Sequence, residues 1–293
     1  MLENHWYIAC RSRAINRKPV ALQAFGRHLV AFRDGGGRAG VLIDRCAHRN
    51  APLSHGRISD GLLQCPYHGW GYDADGVVQN IPSAPGSGKP LKRLCIDASV
   101  CVEQDGYLWF CPSGEPPTEQ PPAFPFLGEP GWKTFRMNNV FNGPVETCLE
   151  NFLDCPHATF VHRFWFRKPT LKTVRAVVRD NDDGAEAEYF DEPRQGSVVW
   201  SVLSRKNATM RHVDRFIAPA TSRVDYDFSD GRYYVITSVC TPIDDKTTRV
   251  HTVISFRFGR IAALVRLVFE PLSRWIISQD VRMVALQQEN IER

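Results

Sequence analysis

The sequence has no apolar run long enough to cross a membrane. Its most apolar late stretch, IAALVRLVF (261–269), stops at nine residues and contains Arg266, whereas a transmembrane helix takes about 20. The N-terminus, MLENHWYIACRSR, lacks the apolar core that follows the basic start of a secretory signal. A soluble, cytoplasmic protein without membrane association is therefore expected. Charge of one sign is also scarce. Lys and Arg number 36 against 32 Asp and Glu, a net +4, too mild to point to a nucleic-acid partner. A disulfide framework is missing as well: nine cysteines make an odd count, in a chain too long to need such stapling. Cys46 and Cys65 have special spacing, and the other seven are expected to be small buried hydrophobes. There is no internal repeat.

One tract stands out by composition. CPSGEPPTEQPPAFPFLGEPG (111–131) carries seven prolines in 21 residues, which excludes a helix or a central strand. The expected organisation is a first domain over 1–115, a Pro-rich linker over 116–131 and a second domain over 132–293. The first part reads as β. HLVAFRD (28–34) and AGVLIDRC (39–46) flank a triple glycine, and YDADGVV (72–78) and VEQDGYLWF (102–110) each carry an Asp-Gly hairpin signal. The second part opens on GPVETCLENFLD (143–154). There Pro144 suits a first helical turn, and Val145, Cys148, Leu149 and Phe152 share one face. Strand-like runs follow at 172–180, 185–191, 197–204, 211–217, 223–228, 232–241 and 247–258. The tail from Ile261 is helical in pattern, with a break expected before Pro271. The fold class is thus α+β in two domains.

The chemistry concentrates in CAHRNAPLSHGRISDGLLQCPYHGW (46–70). Cys46 and His48 are separated by one residue, and Cys65 and His68 by two, with 16 residues between the pairs. Thiolate and imidazole together suit zinc or an iron–sulfur cluster, and spacing alone leaves both open. The single-residue gap of the first pair is tighter than in a usual zinc knuckle. Turn residues follow each pair, so each can sit at the tip of a β-hairpin. His55, inside the stretch, fits no ligand position.

A second cluster is ENFLDCPHATFVH (150–162), with Asp154, His157 and His162. Two histidines and a carboxylate can form the facial triad of a non-haem Fe(II) oxygenase. On an ideal helix His157 and His162 would diverge by about 140°, so a shared metal needs an irregular backbone, which Pro156 provides. Core histidines with satisfied hydrogen bonds are the competing reading.

CAHR…CPYHGW resembles the Rieske [2Fe–2S] motif. N-x-x-D-x-x-H-x4-H downstream of it, at Asn151, Asp154, His157 and His162, resembles the mononuclear iron motif of the Rieske non-haem iron oxygenases. The resemblance runs from about residue 5 to 290. It implies an N-terminal antiparallel β Rieske domain and a C-terminal helix-grip-like domain, an antiparallel sheet with a long C-terminal helix. It implies a [2Fe–2S] cluster with Cys46 and Cys65 on one iron and His48 and His68 on the other, a ligand set of raised reduction potential. It further implies Fe(2+) held by His157 and His162, with Asn151 nearby. The third ligand would be a late carboxylate, for which Asp280 in WIISQDVRMV is the candidate; Asp244 and Asp245 read as a turn, and Glu289 lies too near the end.

In that family the aspartate matching Asp154 bridges a Rieske histidine of the neighbouring subunit, here His68, to an iron-bound histidine, here His157. A homotrimer is therefore expected. The implied partners are a reductase, with or without a ferredoxin, carrying electrons from NAD(P)H, together with O2 and a small, cyclic substrate. The compact second domain matches the monooxygenase and demethylase branch, which hydroxylates or oxidatively demethylates. The alternative is the α subunit of a ring cis-dihydroxylating dioxygenase. Readings from other classes are a bare electron carrier and a zinc-stabilised binding module. The substrate pocket is expected on the sheet, with Val199, Trp200, Val213, Tyr234, Ile236 and Phe256 as candidates for pocket or core.

Overall fold

Ten short strands build the first of two compact units in the computed structural model, which describes residues 2–84, 94–115, 117–163, 165, 173–190, 210–259 and 262–293. They are β1 (Tyr7–Arg11), β2 (Val20–Ala24), β3 (Arg27–Arg33), β4 (Ala39–Ile43), β5 (Arg57–Ser59), β6 (Leu62–Gln64), β7 (Gly71–Tyr72), β8 (Val78–Asn80), β9 (Ala98–Gln104) and β10 (Tyr107–Cys111). All pair antiparallel, in a six-stranded sheet of order β1-β10-β9-β4-β3-β2 and a four-stranded sheet of order β5-β6-β7-β8. The Asp-Gly signal is local and decisive. At Asp105-Gly106 both residues take positive φ, 56° and 73°, the backbone that turns β9 into β10 without splaying the strands. Asp60-Gly61 does the same between β5 and β6, at 50° and 79°. Val30, Phe32, Leu42, Leu53, Leu63, Tyr72 and Val78 form a core that reaches both sheets, with Cys46 and Cys65 in the same cluster.

The second unit starts at Phe124. It contains β11 (Lys133–Phe141), α1 (Val145–Leu153), β12 (Arg175–Asn181), β13 (Gly184–Phe190), β14 (Arg211–Ile217), β15 (Thr221–Phe228), β16 (Arg232–Pro242), β17 (Thr248–Arg257) and α2 (Ala262–Ile291). Seven strands form one antiparallel sheet of order β11-β17-β16-β15-β14-β13-β12. The fold is therefore an antiparallel β unit followed by a sheet with a long C-terminal helix. β11 goes unread in the sequence and lies along β17 over nine paired positions. Its partner is more than a hundred residues downstream, so no local pattern announces it. The strand expected at 197–204 lies outside the described residues.

Two expectations are corrected, the helix break and the burial of the seven other cysteines. The break before Pro271 does not occur: α2 runs through it from Ala262 to Ile291. One lost N–H bond is outweighed by the apolar face that Val265, Phe269, Ile277 and Val284 bury. The Pro-rich tract, expected as a linker or an extended crossing segment, is a bound strap. Its early part is tied to the first unit, where Trp6 Nε1 donates to Glu119 O at 2.7 Å and Gln104 Nε2 to Pro121 O at 2.8 Å. Its later part packs on the second unit, where Phe126 stacks on Trp132 at 3.9 Å and both meet Tyr233 edge-on. Aromatic residues between the prolines supply the burial that composition hides. Finally, Cys95 is exposed and Cys10 and Cys101 are half-buried; Cys111, Cys148, Cys155 and Cys240 are buried, and all nine thiols are free. Among the described residues no helix is long and apolar enough to cross a membrane.

Candidate metal centres

Two loops of the first unit present the cysteine–histidine pairs, and they are built alike. In the first, Cys46 N–H donates to Ala51 O at 2.9 Å and Asn50 N–H to Cys46 O at 2.9 Å. In the second, Cys65 N–H donates to Trp70 O at 2.8 Å and Gly69 N–H to Cys65 O at 3.1 Å. Each loop turns on one left-handed residue four positions after its cysteine: Asn50 (φ 57°) and Gly69 (φ 74°). Both residue types tolerate that backbone. The second loop is the tip of the β6–β7 hairpin. The first is not a hairpin tip, because it passes from β4 in the six-stranded sheet to β5 in the four-stranded one.

The loops sort the four side chains by element. Cys46 and Cys65 are 1% and 3% exposed, while His48 and His68 face solvent. The two imidazoles lie 4.6 Å apart, and His48 stacks flat on Trp70 at 4.8 Å. Tyr72 supports the thiol side. Its hydroxyl accepts Ala47 N–H at 3.0 Å and lies 3.1 Å from Cys46 Sγ, so with Cys46 as a thiolate the hydroxyl would donate to the sulfur. Burial pushes the Cys65 thiol above its usual pKa, against the main-chain hydrogen bonds from Tyr67 and His68, and Cys46 adds to the rise. Burial also raises the Tyr72 hydroxyl and keeps it a donor. Two inward sulfurs and two outward nitrogens are a donor set that would fit a two-iron cluster.

The second centre sits where α1 ends. Asp154 caps the helix with ψ 85°, a 3-10 turn spans Cys155–Thr159, and an irregular turn carries His162. The regular-helix geometry that would separate the histidines is therefore gone. Their Nε2 atoms lie 3.3 Å apart, and Asp280 Oδ1, from the buried face of α2, is 3.1 Å from His162 Nε2 and 3.6 Å from His157 Nε2. His157 donates its Nδ1 proton to the main-chain carbonyl of Asp154. His162 donates its Nδ1 proton to Gln279 Oε1 at 2.8 Å. Both imidazoles thus turn lone pairs toward each other and toward a carboxylate.

A proton or a metal cation between them relieves the repulsion of that arrangement. Asp280 Oδ1 is buried and, among the described residues, has no hydrogen-bond donor. Burial works against a protonated His162, but Asp280 and Gln279 outweigh it and raise its pKa above the ordinary value. The site therefore attracts positive charge, and two imidazoles with one carboxylate are the donor set that non-haem Fe(II) takes.

Asn151 lies nearby, half-buried, with Oδ1 buried and unbonded among the described residues. Only the carbonyl of Asp154 reaches His157 within the chain; its carboxylate is exposed and accepts no hydrogen bond among the described residues. Gln279 goes unread in the sequence, and its position beside Asp280 is the one signal that could have found it.

A cleft opens over this centre. Alternate residues of the sheet form its far wall, among them Met137, Tyr226, Tyr234, Ile236 and Ile254. Of the pocket candidates, Tyr234 and Ile236 line the cleft. Val213 points to the opposite side of β14, and Phe256 is core against Phe269. Positions 199 and 200 lie outside the described residues.

Family models match both units: the Rieske [2Fe-2S] domain over residues 5–94, and the vanillate O-demethylase oxygenase C-terminal domain over residues 141–293, just over half the chain. The chain belongs to the Rieske non-haem iron oxygenases. Similar to this family member is chlorophyllide a oxygenase of Arabidopsis thaliana, 36% identical over 170 residues, which are 57% of this chain and 30% of that protein. Methylxanthine N1-demethylase of Pseudomonas putida is 27% identical over 260 residues, 85% of this chain and 71% of the relative. The chain thus spans about a third of the first relative and most of the second. A crystal structure of dicamba monooxygenase bound to 3,6-dichlorosalicylic acid shares the fold, with TM-score 0.88 at 22% identity over 100% of this chain and 89% of that one.

Proposed function

We propose that the chain is the oxygenase component of a Rieske system that hydroxylates or oxidatively demethylates a small, cyclic organic substrate. Electrons come from NAD(P)H through a reductase, with or without a ferredoxin, and O2 is the co-substrate. The observation that carries this reading is the convergence of His157 Nε2, His162 Nε2 and Asp280 Oδ1 beneath a largely apolar cleft. Cys46, His48, Cys65 and His68 hold the [2Fe–2S] cluster, and His157, His162 and Asp280 hold Fe(2+). When bound, the cluster supplies single electrons and the iron supplies O2 activation.

The chain's own groups do the rest. Asp154 O and Gln279 orient the two imidazoles, Asp280 balances part of the charge, and the tyrosine-lined wall positions the substrate and excludes water. The exposure of both His68 and Asp154 in the single chain supports a homotrimer in which they meet across subunits. The seven cysteines outside the cluster site, none of them in a disulfide, support a reducing, cytoplasmic setting. Relatives named as demethylases support demethylation over cis-dihydroxylation. Formaldehyde release from methylated ring compounds, with a generic reductase, tests this; cis-diols without formaldehyde would reverse the choice.

Two substitutions test the supporting groups. Tyr72→Phe keeps the packing but removes a donor to a cluster thiolate. A differential of about 1 kcal/mol shifts a one-electron couple by about 40 mV, so the potential falls by that order in voltammetry; an unmoved potential removes Tyr72 from the tuning role. Gln279→Leu releases the Nδ1 proton of His162 and lowers Fe(II) affinity about 10- to 100-fold, read by titrating metal-free protein. Unchanged affinity would show that packing alone holds the ring.

A further inference from the structure

One buried polar pair in the cleft is not used by the metal centre. β14 places His212 and Asp214 on its cleft side, 1% and 4% exposed, with His212 Nε2 2.8 Å from Asp214 Oδ1. The His212 ring is stacked between Tyr189 (4.7 Å, 25°) and Tyr226 (4.3 Å, 20°). This clamp sets the plane of the imidazole, so that Nε2–H donates to Oδ1.

The other oxygen of Asp214 accepts no hydrogen bond among the described residues, and the residue lines the cleft. The cross-strand neighbours of Asp214 are Ala187 and Val224, so the sheet itself gives no reason for a carboxylate there. Burying one is costly without a second partner. Two hydroxyls of the wall are already engaged with each other, Ser238 and Thr252 at 3.1 Å. Among the described residues no Lys or Arg lines the cleft; besides Cys155, Tyr226 and Tyr234, its other ionisable groups are Asp154, Asp280, His157 and His162.

We propose that Asp214, held by His212, is the specificity-determining residue of this cleft, and that it accepts a hydrogen bond from an N–H or O–H group of a neutral or cationic ring substrate. Ring carboxylates are disfavoured, since they bring a second anion and no donor. This deepens the oxygenase reading and rests on it for the reaction.

The test uses three probes with one ring and one methoxy group: 4-methoxybenzylamine, 4-methoxybenzyl alcohol and 4-methoxybenzoate. Calorimetry on the holoprotein should show the amine or the alcohol binding at least about tenfold tighter than the benzoate. Asp214→Asn should cut that preference by at least about tenfold, because it removes the charge and keeps the shape. Equal or tighter benzoate binding to the wild type overturns the proposal without any variant. An unchanged preference in a folded Asp214→Asn protein, checked by its cluster absorption, also overturns it. So does the absence of binding by all three probes at millimolar concentration. Formaldehyde release is read separately. Selective binding without any demethylation sinks the reaction while Asp214 stands; demethylation without selectivity does the reverse.

Discussion

His157→Ala will abolish formaldehyde release with an added reductase while leaving the EPR signal of the reduced cluster unchanged. The reason is the separation of tasks. The cysteine–histidine loops have their own core and hydrogen bonds in the first unit, and no bond to them passes through His157. The second centre has three donors, and His157 is one of them. Loss of a group that only supports a ligand costs about 10- to 100-fold; loss of a ligand should exceed that. Iron analysis should show the mononuclear site depleted and the cluster iron retained. Turnover at the parent rate would remove His157 from the iron site. A lost cluster signal would show instead that the two units are not independent.

Asp154→Asn will keep both metals but slow electron delivery about 10- to 100-fold. The structure makes this substitution a clean one. The bond that orients His157 comes from the main-chain carbonyl of Asp154, which asparagine retains. What changes is the exposed carboxylate, the group proposed to meet His68 of a neighbouring subunit. Stopped-flow oxidation of the reduced cluster, in the presence of O2 and substrate, reads the step directly. Parent-like rates would end the bridging role. Iron loss in the variant would mean that the carboxylate serves the site itself.

Much of this was legible in the sequence, because the signals are short-range. The Cys46–His48 and Cys65–His68 pairs lie within 23 residues, and Asn50 and Gly69 allow the turns that present them. Asp105-Gly106 marks its own hairpin for the same reason. Pro156 shows that the helix must fail before His157, but not which way the ring will then point. The rest was not legible, for physical reasons. Pro271 is a local signal against a helix, overruled by the buried face of α2. The Pro-rich tract has local stiffness but also Phe126, which stacks on Trp132 just beyond the tract and meets Tyr233, a residue far away in sequence.

The sequence by itself thus determined the donor types, their spacing and the β-then-helix plan, since each depends on neighbours along the chain. Tertiary structure alone decided the rest. It brought Asp280 to His162 across 118 residues, laid β11 along β17, aimed Gln279 at an imidazole and turned Asp214 toward the cleft. Those outcomes follow from sheet order and from which helix face finds apolar surface, and both are settled only when the whole chain packs.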